Sequence, residues 1–261
     1  MALTAAQLAD LMPDMTQLES DEPEMESSLH YTQLALLVAC LEWLWGDRQD
    51  FFIGANLTIY FSHQQLKNRD FRGPDFFLVQ QTERKPRKSW VVWEENGQYP
   101  DIIIELLSDS TASTDRALKK MLYQDRFHTP EYFWFSPETL EFQGFRIVGR
   151  QYEEIQTNAQ GWRWSETLNL FLGIHNQQLR YFDAEGQLIP TPIELATQTQ
   201  AQAVKAQAQA QVAQAQAQAA QAQAAQAQAQ AAQAQAAQAQ AQAQAEQLAA
   251  QLRALGIEPE N

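Results

Sequence analysis

Between Glu26 and Trp45 the apolar residues Leu29, Leu34, Leu37, Val38, Leu41 and Trp45 recur at helical spacing, and the pattern predicts an amphipathic helix. Ser27 or Ser28 can cap its start, and Gly46-Asp47 ends it. The spacing then changes. Phe51-Phe52-Ile53-Gly54, Leu57-Thr58-Ile59-Tyr60-Phe61, Phe76-Phe77-Leu78-Val79 and Trp90-Val91-Val92-Trp93 are short, aromatic and β-branched, and read as strands. Ile102-Ile103-Ile104-Glu105-Leu106-Leu107 is the most apolar of these segments. Such a run suits a central strand covered on both faces.

A second helix is expected from about Thr114 to Phe127, with Asp115 in its first turn, where the helix dipole favours an acid. Thr129-Pro130 breaks it, and Tyr132-Phe133-Trp134-Phe135 reads as another buried strand. Segments around Phe142–Val148, Tyr152–Ile155 and Gly161–Trp164 read as an antiparallel meander. Strands mixed with helices around a buried sheet give an α/β (α+β) domain.

The pattern fails from about Thr197 to Ala250, which is almost entirely Ala and Gln, with Lys205 and Glu246 as the only charges. VAQAQAQAAQAQ at Val212–Gln223 is followed by AAQAQAQAAQAQ at Ala224–Gln235 and a looser third copy. Ala and Gln favour helix, and no Gly or Pro interrupts. A single helix from about Ile193 to Leu255 is expected, detached from the core because it has no face to bury. A repeat of 12 is neither 7 nor 11, so no standard supercoil follows. The tail reads equally as a spacer and as a stalk for a homo-oligomer. The chain therefore divides into an acidic lead-in (1–25), one domain (26–192) and a low-complexity tail (193–261).

Composition adds constraints. All seven Trp, seven Tyr and thirteen Phe precede the tail, enough apolar material for one sizeable core. The one cysteine, Cys40, lies in an apolar run and reads as a small buried hydrophobe; no intrachain disulfide can form. With neither a signal-peptide pattern nor an apolar run long enough to span a bilayer, a cytoplasmic location without membrane contact is expected. The net charge of −14 opposes phosphate binding. Its distribution softens this: residues 64–90 carry seven bases (Lys67, Arg69, Arg72, Arg84, Lys85, Arg87, Lys88) against three acids. That stretch reads equally as a solvated loop and as a phosphate-facing one.

Two acids stand out. Asp75 follows Gly73-Pro74 and begins an apolar strand; taken alone, it reads as a turn residue. Glu105 sits among isoleucines and leucines, where a carboxylate is costly unless it meets a metal, a cation or donors. Lys119, alone, reads as a solvated helix residue; it lies four after Asp115, with Tyr123 one turn further. Two strand carboxylates with a lysine suit phosphodiester hydrolysis: the acids hold Mg²⁺ or Mn²⁺, and the lysine orients water and offsets developing charge.

The blocks Gly73-Pro74-Asp75-Phe76-Phe77-Leu78-Val79, Pro100-Asp101-Ile102-Ile103-Ile104-Glu105-Leu106-Leu107-Ser108, Asp115-Arg116-x-x-Lys119-x-x-x-Tyr123 and Pro130-Glu131-Tyr132-Phe133-Trp134-Phe135 resemble, in order and spacing, the Uma family. These are restriction-endonuclease-like proteins of the PD-(D/E)xK nuclease superfamily. The resemblance covers about residues 26–185. It implies a mixed sheet flanked by helices, a Mg²⁺- or Mn²⁺-dependent endonuclease, and DNA as a weakly held, salt-sensitive partner. It makes Asp75 the PD aspartate and Glu105 the acid of the E-x-K strand. Leu107 stands where the superfamily carries its lysine, and the family pattern lets Lys119 substitute. An acid of the first helix, Glu26, is the third metal ligand on this reading. The alternative is a catalytically silent scaffold that self-associates through its tail. A convergent Asp75–Glu105–Lys119 cluster separates the two.

Overall fold

The computed structural model describes residues 18–20, 25, 27–62, 73–108 and 115–254, the side chain of Asp115 excepted. Glu26, Lys67, Arg69, Arg72 and Leu255 lie outside the described residues. The chain divides into two compact units, Met1–Leu195 and Ala196–Asn261.

Helix α1 spans Ser28–Leu44, and Ser27 is the N-cap. Its apolar stripe of Leu34, Leu37, Cys40 and Leu41 is buried. The strands are β1 (Phe51–Ala55), β2 (Ile59–Tyr60), β3 (Phe76–Gln80), β4 (Trp90–Val91) and β5 (Ile102–Leu106). Beyond them come β6 (Glu131–Phe135), β7 (Phe142–Val148), β8 (Gln151–Glu154), β9 (Arg163–Ser165), β10 (Leu170–His175) and β11 (Gln178–Phe182). The main sheet has six strands in the order β1-β3-β5-β6-β7-β8. All neighbours are antiparallel except β5 and β6, which are parallel, so the sheet is mixed.

A parallel pair needs a crossover. The chain between β5 and β6 supplies it with a helical segment, α2, at residues 115–127. Two stretches of wide π-type turns, Asp115–Lys119 and Tyr123–Phe127, flank one α-helical turn, Lys120–Leu122. His128, in the left-handed region at φ 53°, closes it.

Strand alternation separates two cores. Phe76, Leu78, Ile102, Ile104 and Leu106 pack with the buried face of α1, while Phe77, Val79, Ile103 and Leu107 pack with Tyr123 and Phe127 of α2. The two helices thus cover opposite faces, which is why β5 has no solvent-facing residue and reads as a continuous apolar run.

Two departures from the sequence-based picture are instructive. The segment expected as the third meander strand leaves the main sheet: Arg163–Ser165 pairs with β10 in a separate sheet ordered β11-β10-β9. The hairpin β10–β11, which the pattern reading did not identify, turns through Asn176 and Gln177, both at positive φ. Its alternating Leu170, Leu172, Leu179 and Tyr181 join the α1 core. Gln33 of α1 ties this sheet down, donating to Leu179 O at 2.9 Å and accepting from Leu179 N–H at 3.0 Å.

Helix α3 spans Pro192–Ala254, 63 residues or roughly 95 Å, and buries none of them. Thr191 and Glu194 start it as a reciprocal capping box: Glu194 N–H donates to Thr191 Oγ1 at 3.1 Å, and Thr191 N–H donates to Glu194 Oε2 at 2.8 Å. Pro192 sits at the first helical position, where its missing N–H costs nothing. Among the described residues no helix is long and apolar enough to cross a membrane.

Candidate active site

Asp75 immediately precedes β3, and Glu105 is the fourth residue of β5. Because Phe76 pairs with Ile104, the antiparallel register sets Asp75 opposite Glu105. Residues 77, 79, 103 and 107 all face the α2 core, so alternation turns 75 and 105 to that same face. The two acids interlock through backbone amides. Leu106 N–H donates to Asp75 Oδ2 at 2.8 Å, and Asp75 N–H donates to Glu105 Oε2 at 3.4 Å.

Glu105 is fully buried. A carboxylate removed from water needs compensating charge and hydrogen bonds, and α2 provides both. Lys119 Nζ lies 3.0 Å from Glu105 Oε2, and Tyr123 Oη donates to Oε1 at 2.6 Å. Lys119 ends the first π-type stretch and Tyr123 begins the second. Helices seldom widen this way without a functional or packing reason, and here the widened turns carry both groups that meet Glu105.

The structure therefore brings Asp75, Glu105 and Lys119 together. Tyr123, named in the sequence as a neighbour of Lys119 but given no role, joins them as the second donor to Glu105. Its legible signal is the four-residue spacing from Lys119, which puts both on one side of the helix. Glu26 lies outside the described residues, and among those residues no group of three or more metal-capable side chains forms. Leu107 is buried in the α2 core, so hydrocarbon fills the strand position where the superfamily pattern carries lysine. The described donor set is thus two carboxylates with one ammonium and one phenol.

The basic stretch divides around β3. Its described members, Arg84, Lys85, Arg87 and Lys88, follow Gln80, at the end of β3 remote from Asp75. Each pairs with an acid: Arg84 with Glu42, Lys85 with Glu83 at 3.1 Å, Arg87 with Glu95 at 2.6 Å and Lys88 with Glu19 at 3.2 Å. The Arg87 side chain is only 5% exposed and lies over the rings of Phe52 and Trp90, at 4.7 and 4.9 Å from their centroids. It holds its loop folded and is not available to a phosphate. Among the described residues, then, each base of the stretch has an acid beside it.

Burial raises the pKa of Asp101, at the other end of β5, against a backbone donor from Gln80. In the three-stranded sheet, Arg180 of β11 holds the Glu194 carboxyl down at about 2.

No curated protein matches the chain. Among solved structures, a crystal structure of a "putative nuclease belonging to DUF820" from Anabaena variabilis ATCC 29413 matches at 15% identity with a TM-score of 0.41, covering 64% of this chain and 91% of that one. The family model described as "Putative restriction endonuclease" (Uma2) matches residues 17–175, more than half of the chain and all four motif blocks. The chain belongs to the Uma2 family.

Proposed function

We propose that the chain is a metal-dependent endonuclease that hydrolyses DNA phosphodiester bonds at Asp75, Glu105 and Lys119. One observation carries this reading. Two carboxylates on adjacent strands share a face with a lysine 3.0 Å from the more buried of them. Packing alone gives no reason to place an acid at the centre of an Ile-Ile-Ile-Glu-Leu strand.

The donor set fits a hard divalent cation. Mg²⁺ takes oxygen ligands and is commonly held by one or two carboxylates, with water and substrate phosphate completing its shell. Asp75 and Glu105 are the residues that would hold it, with Glu26 as a third on the family's pattern. The bound ion would polarise the phosphate and lower the pKa of a water.

The protein's own groups do the rest. The Leu106 amide fixes the rotamer of Asp75, and the Tyr123 phenol fixes Oε1 of Glu105. Lys119 is the only described cation paired with Glu105. It orients the attacking water and offsets the negative charge that develops on the phosphoryl oxygens. Leu107 keeps that side of the strand dry.

DNA is the substrate that the family suggests. The described bases of the 84–88 stretch are committed to acids, so binding rests on few phosphate contacts and is weak. The contrasting reading, a silent scaffold, draws on the fact that both Glu105 oxygens already accept hydrogen bonds within the protein. On either reading we take 26–192 as the working domain and 193–261 as a helical appendage. Incubating supercoiled plasmid with the purified full chain, with Mg²⁺ or with chelator, separates the two. Metal-dependent nicking supports the nuclease, and intact plasmid under all conditions supports the scaffold.

A further inference from the structure

His30 is a buried titratable side chain with no part in the chemistry above. It lies in the first turn of α1, on the face of the sheet opposite α2, yet it reaches the end of β5. Its Nε2 is 3.2 Å from Leu107 O, and its Nδ1 is 2.8 Å from Ser27 Oγ. A carbonyl oxygen can only accept, so Nε2 carries the proton. Nδ1 shares a hydrogen bond with the Ser27 hydroxyl. The same hydroxyl accepts from His30 N–H at 3.3 Å as the helix cap. The imidazole thus uses both nitrogens, joining the N-cap of α1 to a peptide 77 residues away.

The position of that peptide gives the contact its meaning. Leu106 N–H holds Asp75 Oδ2, and Leu107 N–H donates to Phe135 O at 2.8 Å. The Leu107 carbonyl is where β5 runs out of strand partners: β5 ends at Leu106, and Leu107 is buried. Without His30 that carbonyl would lose its acceptor bond in a dry setting, which costs more than the bond itself contributes. The chain end just past Glu105 would be released from α1, and with it the amide that orients Asp75.

We propose that His30 is a positioning residue for the Asp75–Glu105 pair, clamping the 105–107 backbone to the start of α1. This rests on the nuclease reading for its catalytic consequence, though not for its structural one. His30 touches neither acid and acts only through the backbone.

The test compares the wild type with His30→Ala and His30→Gln, whose side-chain N–H can reach the same carbonyl. Amide hydrogen exchange read at Leu106 is the first measurement. His30→Ala should speed exchange at Leu106 about tenfold while leaving Ile103 and Ile104 unchanged, and His30→Gln should restore most of the protection. In parallel, cleavage of supercoiled plasmid with Mg²⁺ should show kcat reduced about tenfold in His30→Ala with KM for DNA unchanged, and again rescue by Gln. Equal acceleration along all of β5, no acceleration at Leu106, or failure of Gln to rescue would overturn the proposal. If the wild type cuts no DNA, the nuclease reading falls, and the exchange data still decide the role of His30.

Discussion

Asp75 and Glu105 each depend on the other's strand: the Asp75 amide donates to Glu105 Oε2 at 3.4 Å, while Asp75 Oδ2 accepts from the amide that follows Glu105 at 2.8 Å. Neither acid is an ornament added to a finished sheet. Their geometry is set by the β3–β5 register, and a slip of β3 by one residue against β5 would turn Asp75 to the α1 face and leave Glu105 alone on the α2 face.

Tyr123→Phe isolates the phenol that binds Glu105 at 2.6 Å. A hydrogen bond to a charged, buried group contributes roughly 1.5–3 kcal/mol. For a domain of about 190 residues that corresponds to a Tm lower by about 4–10 °C. Ring packing against Phe127 and Tyr132 is retained, so the fold should persist. Differential scanning calorimetry decides it, and an unchanged Tm would show that Tyr123 does not support Glu105.

Lys119→Met removes the cation at Glu105 while keeping the length of the side chain. Two opposing effects follow. Turnover on DNA should fall by at least about 100-fold, the scale of losing one charge-stabilising group. Mg²⁺ should bind more tightly, because the ion no longer competes with an ammonium 3.0 Å from Oε2. Titration calorimetry with Mg²⁺ in the absence of DNA reads the second effect. Weaker metal binding in the variant would contradict the arrangement.

Glu194 links the first turn of α3 to Arg180, with bonds of 3.0 and 2.7 Å. Arg180 is 2% exposed and Glu194 is 42% exposed. The carboxyl is lowered from 4.5 to about 2, chiefly by its hydrogen bonds from Arg180. A depressed folded pKa stabilises the protein above the unfolded value and loses that contribution as the pH falls from about 4.5 toward 2. Glu194→Gln should therefore be destabilised near neutrality by on the order of 2 kcal/mol, between the exposed-pair and buried-pair limits. The gap between variant and wild type should close across that acidic window. Urea denaturation at several pH values tests this, and a gap independent of pH would count against it.

The tail makes a separable prediction because it contains no aromatic residue. Near-ultraviolet circular dichroism therefore reports the globular unit alone, while the far-ultraviolet helical signal comes largely from α3. A helix that buries no residue melts gradually as its ends fray, without the cooperativity of a packed core. On heating from the cold, helical signal should decline steadily while the near-ultraviolet signal stays flat until one sharp transition. A single coincident transition would mean that α3 is stabilised by packing, as in a self-associated stalk.

How much of this was legible in the sequence depended on the physics of each element. Helix α1 was readable because Leu34, Leu37 and Leu41 keep one helical stripe, and β5 because both its faces are covered. The third meander strand is not legible because pairing partners are non-local: nothing in Arg163-Trp164-Ser165 says that it joins β10 and not β8. The β10–β11 hairpin went unread because its turn is Asn-Gln, which lacks the glycine that usually marks a positive-φ turn. Asp75, Glu105 and Lys119 stood out through their surroundings and their match to family motifs. His30 did not, since a histidine in an amphipathic helix announces no partner 77 residues away. Of the basic stretch, only the pairing of Arg84, Lys85, Arg87 and Lys88 is described, and a count of charges does not tell which acids fold back on them.

The most direct test of the central claim is Glu105→Gln. Glutamine keeps the size of the side chain and can still accept from Tyr123 but lacks the charge that would hold a cation, so the near-ultraviolet spectrum should match the wild type. Supercoiled plasmid is incubated with each protein in Mg²⁺ and in Mn²⁺. The expected result is nicking by the wild type, its loss with chelator, and a rate at least about 100-fold lower for the folded variant. Cleavage that persists unchanged in Glu105→Gln would place the activity elsewhere in the chain and rule out Glu105 as a metal-holding residue.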